Sequence, residues 1–358
     1  MINVTKTYLP DINKYKKYVD MIYETNRLTN GGQFLRKLEK RLEDYLGVKH
    51  IILVSNGTVA LQIAYKALNL KDEVITTPFS FVATASSLVW EGLEPIFVDI
   101  DPNTYCMDYR KIEEKITDKT TALVPVHVFG NGCEVLKIKE IADKHNLKVI
   151  YDAAHAFDVK YGERSILNYG DISTISFHST KVFHTIEGGA IVVNDDEIYE
   201  RIKRMIDFGI SDVDKIECLG INCKMNEFQA AMGLCVLDDI HKIFEARKKV
   251  FDYYIENLSD DLQLQEFNKN CTQNYTYFPV VFSSEEILLK IKAELNNNCI
   301  YPRRYFYPSL EKLPYLKNVQ SVPITNSISK RILCLPIYDT LKEKEINLII
   351  KIINEKLI

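Results

Sequence analysis

The stretch ISTISFHSTKVFHTIEGGAIVVN (Ile172–Asn194) decides the fold of this 358-residue chain. Its two apolar ends are typical of β-strands, and between them Lys181 follows Ser-Phe-His-Ser-Thr and precedes a Glu-Gly-Gly sequence. Most lysines are solvated surface charges. A lysine among these neighbours can instead be buried, and burial lowers the pKa of its amine and lets it form a Schiff base with an aldehyde. The stretch therefore predicts a reactive lysine at the end of a buried strand.

Short apolar runs alternate with amphipathic segments from Lys49 onward. Several of the runs are rich in Val and Ile and lack polar alternation, which is typical of strands buried on both faces of a mostly parallel sheet. The predicted strands are HIILVS, VITTPF, PIFVDI, TALVPVHVF, KVIYDAA, ISTISFH and AIVVND, and the predicted helices between them include TVALQIAYKALNL, VATASSLVWEG and VLKIKEIADKHN. This alternation predicts an α/β fold, with a large three-layer α/β/α domain around a mostly parallel sheet.

The character of the sequence changes after about Asn194. Helical patterns predominate over DEIYERIKRMIDFG and over the long run that begins with NEFQAAMG, and the C-terminal third mixes short strands with helices. We therefore predict two domains. Residues 1–240 hold an N-terminal lead-in and the large domain, and residues 241–358 form a smaller C-terminal α+β domain.

Composition and charge exclude several classes of function. The formal net charge is −4 and 46% of the residues are hydrophobic. We expect a globular protein that does not bind nucleic acid, because such binders usually have a strongly basic face. The N-terminus has no apolar signal region, and no apolar run reaches the roughly 18 residues of a membrane span. The eight cysteines are scattered without a C-x-x-C pair, which argues against a metal site and predicts reduced thiols in a cytoplasmic protein.

Asp152 ends the apolar run KVIYDAAHAF, 29 residues before Lys181. Taken alone, an aspartate at a strand end is most often a helix cap or a turn residue. A Schiff-base lysine and a carboxylate that keeps a pyridine nitrogen protonated are together the groups that pyridoxal 5′-phosphate (PLP) requires. We therefore interpret Asp152 as the carboxylate that faces the ring nitrogen of a PLP cofactor.

Two further segments fit such a cofactor. Ser55–Thr58 joins a strand to a helix, where free backbone N–H groups can receive a phosphate and Gly57 lets the backbone come close. A simple capping turn would have the same sequence. In TTPFSFVATASS, Phe81 or Phe79 could stack on a flat heteroaromatic ring, or both could be ordinary core aromatics.

The segments occur in the order and spacing of the DegT/StrS-type sugar aminotransferases, which the chain resembles from Leu28–Gly32 to Arg331–Leu341. This family is a branch of the fold type I PLP enzymes, which have the aspartate aminotransferase fold. The resemblance implies a PLP cofactor with pyridoxamine 5′-phosphate as its aminated form. It also implies that Lys181 is the Schiff-base lysine and the general acid/base. The other implied cofactor contacts are Asp152 at the ring nitrogen, His155 at the ring hydroxyl, Phe81 on the ring face, Gly57, Thr58 and Ser176 at the phosphate, and Asn222 at the phosphate bound in the neighbouring subunit.

The resemblance further implies a homodimer with shared active sites, glutamate as the amino donor that leaves as 2-oxoglutarate, and a nucleotide-sugar substrate. One position departs from the family pattern: many members have Arg where this chain has Lys224, and lysine is a point charge rather than a planar fork. With its HVFGN and RRYFYP segments, the chain resembles a subgroup that acts on dTDP-4-keto-6-deoxyglucose at C4. The basic pair Arg303-Arg304, with Tyr307 among the aromatic residues around it, could contact the diphosphate and the base of such a substrate, and Arg303 and Tyr307 are the predicted substrate contacts. A solvated rim of the small domain would have the same sequence.

Three alternatives stay open at this point. One is the same reaction at C3 of a dTDP-3-keto-6-deoxyhexose. Another is a PLP-dependent sugar dehydratase, but those relatives replace the lysine with histidine and some carry a four-cysteine iron–sulfur site, whereas Lys181 is present here. The last is a non-catalytic regulator, which the intact set of Lys, Asp, Thr and Ser disfavours.

Overall fold

The computed structural model describes residues 1–316, 318 and 320–357. Its strands, in chain order, are β1 (Ile2–Asn3), β2 (His50–Val54), β3 (Glu73–Thr76), β4 (Glu94–Phe97), β5 (Thr120–Val124), β6 (Lys148–Asp152), β7 (Lys160–Tyr161), β8 (Arg164–Ser165), β9 (Ile172–Ser176), β10 (Gly189–Val193), β11 (Ile210–Asp212), β12 (Lys215–Ile216), β13 (Gln263–Leu264), β14 (Phe278–Val281), β15 (Ile300–Tyr301) and β16 (Ile332–Leu335).

Its helices are α1 (Ile12–Thr25), α2 (Gln33–Leu46), α3 (Gly57–Ala67), α4 (Val82–Trp90), α5 (Val135–His145), α6 (Asp196–Met205), α7 (Glu227–Asp238), α8 (Ile240–Asn257), α9 (Glu285–Asn297), α10 (Pro323–Arg331) and α11 (Glu343–Leu357). The long helical run predicted from NEFQAAMG onward is therefore two helices, α7 and α8, which meet at Asp239.

The large sheet contains the seven strands that the sequence predicts. Their order is β2-β10-β9-β6-β5-β3-β4, and all neighbours are parallel except β10, which is antiparallel to both β9 and β2. The loop 177–188 returns the chain directly beside β9, whereas parallel neighbours are usually joined by a crossover helix. That return loop carries Lys181, so the topology places the lysine at the carboxyl end of β9.

Both faces of the sheet are buried, as the lack of polar alternation in several strands predicts. Along β2, Ile51 and Leu53 belong to one hydrophobic cluster, and Ile52 and Val54 belong to another. The first cluster includes residues of α2, α5 and α7, and the second includes residues of α3 and α6. Because successive side chains of a strand point to opposite faces, helices cover the sheet on both sides. The predicted three-layer α/β/α arrangement is confirmed.

Strand β2 forms one edge of the sheet, and helix α2 packs along it. The backbone N–H of Leu53 donates to the Glu39 carboxyl at 3.2 Å, and that of Ile51 donates to Glu43 at 3.4 Å. An open edge offers unpaired backbone groups to other strands. The two glutamates therefore satisfy edge groups that the sheet leaves unpaired.

The C-terminal part has a core of its own. Strands β13, β14 and β16 form an antiparallel sheet, and their apolar residues cluster with those of α8, α9 and α11. Strand β1 pairs with β15, so the first residues of the chain join this part. The division of the chain at residue 240 stays a prediction.

Within the described residues, no helix combines the length and apolar character that crossing a membrane requires. The same part of the chain holds no group of three or more His, Cys, Asp or Glu side chains with the geometry of a metal site.

Candidate active site

A cavity of about 330 Å³ opens at the carboxyl ends of β5, β6 and β9, beside the first residues of α3 and α4. Ligands of α/β sheets bind outside the carboxyl ends of the strands, and this volume lies within the usual range for small-molecule sites. Its lining includes seven residues that the sequence indicated, which are Gly57, Thr58, Phe81, Asp152, His155, Ser176 and Lys181.

Lys181 follows β9 in a tight turn, where its backbone N–H donates to the carbonyl of His178 at 2.9 Å. Burial lowers the pKa of the Lys181 amine to about 8, although the carboxylate of Asp152 opposes this shift. About a tenth of the amine is therefore uncharged at pH 7, and an uncharged amine is the form that attacks an aldehyde.

Asp152 is the last residue of β6 and is 6% exposed. Its Oδ1 accepts the backbone N–H of Ala154 at 3.1 Å, and its Oδ2 accepts the hydroxyl of Thr84 at 2.8 Å. Burial raises the pKa of Asp152 above its usual value, and these hydrogen bonds and the charge of Lys181 offset the shift only in part. Donors on both oxygens favour the ionised carboxylate, which is the state that can hold a proton on a pyridine nitrogen.

His155 lies in an aromatic wall formed with Phe129, Tyr277 and Phe306. The backbone N–H of Phe129 donates to its Nδ1 at 3.3 Å, so the proton of the neutral ring is on Nε2. Burial lowers the pKa of His155 well below its usual value. His155 is therefore a neutral hydrogen-bond donor over the physiological pH range, which suits a contact with a ring oxygen.

The N-terminus of α3 forms one end of the cavity. The side chain of Asn56 caps this helix by accepting the N–H of Val59 at 2.9 Å. A Cβ atom at Gly57 would lie 2.9 Å from Cβ of Ser176, so only glycine fits between this helix start and the end of β9. The free N–H groups of a helix start and the hydroxyls of Thr58 and Ser176 are the donors that a phosphate needs.

These residues fit PLP as a ligand. The helix start offers phosphate donors, Asp152 offers a carboxylate to the ring nitrogen, and Lys181 offers an amine to the aldehyde. Phe81 is 57% exposed, which leaves an aromatic face for a flat ring, whereas Phe79 is fully buried and packs edge-on against its aromatic neighbours. Of the two phenylalanines considered from the sequence, Phe79 is thus an ordinary core aromatic.

Four predicted site residues do not line this cavity in the described single chain. Asn222 is exposed, and its neighbour Lys224 forms an ion pair with Asp207. Arg303 and Tyr307 are exposed on the C-terminal part. The roles that the resemblance implies for Asn222, Lys224, Arg303 and Tyr307 stay predictions.

Arg304, the neighbour of Arg303, has its partners within the fold. Its guanidinium donates to Glu285 at 2.7 Å and lies 3.7 Å from the ring centroid of Tyr307. It also donates to the carbonyl of Lys330 at 2.9 Å. Of the two arginines considered for a diphosphate, Arg303 is the more available.

Several residues that line the cavity were not predicted as site residues from the sequence. They include Thr84, His178, Tyr277, Tyr305 and Phe306. No local pattern marks Thr84, because its contact with Asp152 depends on how α4 packs against the sheet. His178 lies in the SFHSTK segment, so its closeness to Lys181 was a signal that could have found it.

An amine and a carboxylate that meet at the strand ends of a three-layer α/β domain are typical of PLP-dependent transferases of fold type I, and this is the class that the fold and the pocket define. The sequence profile of the DegT/DnrJ/EryC1/StrS aminotransferase family matches residues 11–354. The chain belongs to this family, whose aminotransferases are PLP-dependent.

Named relatives agree with this membership. A dTDP-4-amino-4,6-dideoxy-D-glucose transaminase of Shigella dysenteriae is 43% identical, over 99% of this chain and 98% of the relative. A transaminase of the same name from Escherichia coli is 40% identical, over 99% of both chains. The crystal structure of DesI in the presence of its TDP-sugar product superposes with a TM-score of 0.95 at 29% identity, over 99% of this chain and 93% of that one. The chain is thus a sugar aminotransferase by family and by fold.

Proposed function

We propose that this enzyme transfers an amino group from glutamate to the C4 keto group of dTDP-4-keto-6-deoxyglucose. The observation that carries the proposal is the 43% identity to a dTDP-4-amino-4,6-dideoxy-D-glucose transaminase over nearly the full length of both chains. The cavity that holds Lys181 and Asp152 supports the same chemistry. The structure of DesI in the presence of its TDP-sugar product supports the choice of nucleotide.

Lys181 is proposed as the residue that forms the Schiff base and moves the proton. Its Nζ takes a proton from the substrate carbon and returns one later, which a pKa of about 8 allows near neutral pH. PLP, when bound, supplies the electron sink for the substrate carbon. Asp152 would hold the proton on the ring nitrogen, and His155 would donate from Nε2 to the ring oxygen.

The remaining proposed contacts orient the cofactor before chemistry begins. Gly57, Thr58 and Ser176 would bind the phosphate at the start of α3, and Phe81 would cover one face of the ring. Fixing both ends and one face restricts the ring to a single position relative to Lys181, which lowers the entropy lost in reaching the transition state.

We further propose that the protein is a homodimer, in which Asn222 reaches the phosphate bound in the partner subunit. The surface next to Asn222 supports this proposal, because Val213, Ile216 and Leu219 are 93%, 73% and 80% exposed. Large apolar side chains left exposed along one short segment are typical of a protein–protein interface. Lys224, Arg303 and Tyr307 are proposed as substrate contacts in that assembly.

A cytoplasmic location is also a proposal. It rests on the cysteines, which are all free in the described part of the chain. Free thiols are typical of a reducing compartment.

The test is an amination assay with glutamate, PLP and dTDP-4-keto-6-deoxyglucose, with the product identified by mass and NMR. Formation of dTDP-4-amino-4,6-dideoxyglucose is the expected result. If glutamate aminates the cofactor but this sugar gives no product, the choice of substrate is wrong. A dTDP-3-keto-6-deoxyhexose is then the next substrate to assay.

A further inference from the structure

The ring of His178 lies at the mouth of the cavity, three residues before Lys181. Its Nδ1 is 3.2 Å from the backbone N–H of Thr180 and 2.8 Å from the Thr180 hydroxyl. Because a backbone N–H can only donate, Nδ1 is an acceptor and the proton of the neutral ring is on Nε2. The fold thus fixes the tautomer and presents Nε2–H as a donor.

The carboxylate of Glu187 lies next to Nε2 of His178. Its Oε1 lies 3.4 Å from Nε2 of His178, and Glu187 lines the same cavity. The backbone carbonyl of Glu187 accepts the hydroxyl of Thr185 and the side-chain amide of Gln229, both at 2.8 Å. The end of the loop that carries Glu187 is therefore held at two points.

The spacing of the two side chains leaves both able to bind a ligand. Direct N–H···O bonds in proteins are usually between about 2.7 and 3.2 Å, so 3.4 Å is longer than a good bond. The side chains of His178 and Glu187 are 43% and 57% exposed. Together they present one donor beside one acceptor at the entrance to the lysine.

A hydroxyl group matches this arrangement, because it can accept from Nε2–H and donate to the carboxylate at the same time. A carboxylate at the entrance disfavours an anionic group in that place, since like charges repel. The side chain of a glutamate donor is anionic, whereas the hexose ring of a keto sugar is neutral and carries hydroxyls. The pair therefore suits the sugar better than the amino donor.

We propose that His178 and Glu187 bind a ring hydroxyl of the hexose and thereby determine the sugar specificity of the enzyme. This inference rests on the function proposed above. In a 4-keto-6-deoxyhexose linked through C1, the free ring hydroxyls are those at C2 and C3, so one of these two is the group that the pair contacts.

A simple solvated ion pair is the competing interpretation, and the chain offers a matched example. On the surface near α5, Nε2 of His145 lies 2.8 Å from Oε1 of Glu113, and the two side chains are 29% and 45% exposed. These residues do not line the cavity. Variants of His145 and Glu113 therefore provide a control with the same side chains and no proposed ligand.

The experiment separates the two half-reactions of the holoenzyme. His178→Phe and Glu187→Gln are each assayed for the rate at which glutamate alone changes the cofactor absorbance, and for the KM of the keto sugar. A hydrogen bond to a charged group contributes about 1.5–3 kcal/mol, so we expect the sugar KM to rise by about 10- to 100-fold in Glu187→Gln. His178→Phe should raise it by a similar or smaller factor, and the glutamate half-reaction should change by less than about threefold in either variant, because it does not use the pair.

Three comparisons make the outcome decisive. His178→Gln keeps an N–H donor, so its KM for the keto sugar should lie close to the wild-type value. His145→Phe and Glu113→Gln should have the wild-type KM. A substrate analogue without the contacted hydroxyl should bind the wild type and Glu187→Gln equally well. An unchanged sugar KM in both pocket variants, or an equal loss in the glutamate half-reaction, would overturn the assignment of the pair. If the wild type itself fails to aminate the sugar while glutamate still reacts, the proposed substrate is wrong. The role proposed for His178 and Glu187 then falls as well, because it rests on that substrate.

Discussion

The hydroxyl of Thr84 donates to Oδ2 of Asp152 at 2.8 Å, although the two residues are 68 positions apart in the chain. The Thr84 oxygen is also 2.7 Å from the hydroxyl of Ser80, so two buried hydroxyls line up behind the carboxylate. An ionised carboxylate is costly to bury without hydrogen-bond donors. Thr84, on helix α4, therefore lowers the pKa of Asp152 against the effect of burial, as the proposed role of this carboxylate at the ring nitrogen requires.

Thr84→Val should weaken the binding of PLP. A hydrogen bond to a charged group is worth about 1.5–3 kcal/mol, so we expect the dissociation constant of PLP to rise by roughly 10- to 100-fold. The measurement is a titration of the apoenzyme with PLP, followed by absorbance. Thr84→Ser keeps the hydroxyl and should bind PLP within a few-fold of the wild type. Equal weakening in both variants would point to packing rather than to the hydrogen bond.

Asp152→Asn should abolish most activity while the protein still folds. A neutral amide cannot keep the ring nitrogen protonated, so PLP would be a poorer electron sink. Turnover should fall by at least about 100-fold, a rise of about 3 kcal/mol in the activation barrier, and PLP should bind more weakly. Asp158→Asn is the matched control, because Asp158 is partly buried and accepts the Tyr45 hydroxyl at 2.8 Å outside the cavity. Near wild-type turnover by Asp152→Asn would mean that another group serves the ring nitrogen.

Lys181→Met should eliminate turnover and stabilise the apoenzyme near pH 7. Burial lowers the pKa of Lys181 from 10.5 to about 8, so the folded state disfavours the cation. The buried lysine therefore costs the folded protein no stability above pH 10.5. The free energy of unfolding falls as the pH falls from 10.5 to 8, where the lysine becomes charged in the folded state. The variant should therefore gain on the order of 1–3 kcal/mol over the wild type at pH 7, and this gain should shrink as the pH rises from 8 toward 10.5.

Urea unfolding of the two apoenzymes at several pH values measures this difference. Lys17→Met, at an exposed position on α1, is the control for losing a lysine as such. A gain for Lys181→Met that is independent of pH would show that packing of the methionine, and not the buried cation, is responsible.

Glu39→Gln should stabilise the protein increasingly as the pH rises from 4.5, with the full gain above about pH 7. Burial raises the pKa of Glu39 from 4.5 to about 7. Burying this side chain therefore costs no stability below pH 4.5, and the free energy of unfolding falls as the pH rises from 4.5 to 7. A glutamine can still accept the N–H of Leu53. We expect a gain on the order of 1–3 kcal/mol at pH 8 and no gain below pH 4.5, measured by thermal or urea unfolding.

Glu43→Gln is the matched control for this change, because Glu43 lies one turn further along α2 and accepts the N–H of Ile51 at 3.4 Å. An equal, pH-dependent gain in both variants would attribute the effect to the charge of the helix rather than to burial of Glu39.

The sequence by itself determined the layers of the large domain and indicated the central residues of the proposed site. Several of its apolar runs lack polar alternation, which requires strands with both faces covered. Lys181, Asp152 and Ser176 were within reach of sequence analysis because each lies at or just beyond a strand's carboxyl end. The carboxyl ends of parallel strands meet at one edge of a sheet, so residues far apart in the chain could be expected to converge there.

Only the tertiary structure decided which side chains contact and support these site residues. The contact of Thr84 with Asp152, the proton position on His155 and the pairing of His178 with Glu187 depend on ångström-scale distances between separate elements. The antiparallel return of β10 and the ion pair of Lys224 with Asp207 likewise follow from how the chain packs. The physical reason is that strand and helix patterns reflect local periodicity, whereas hydrogen bonds and pKa shifts reflect the three-dimensional surroundings of each group.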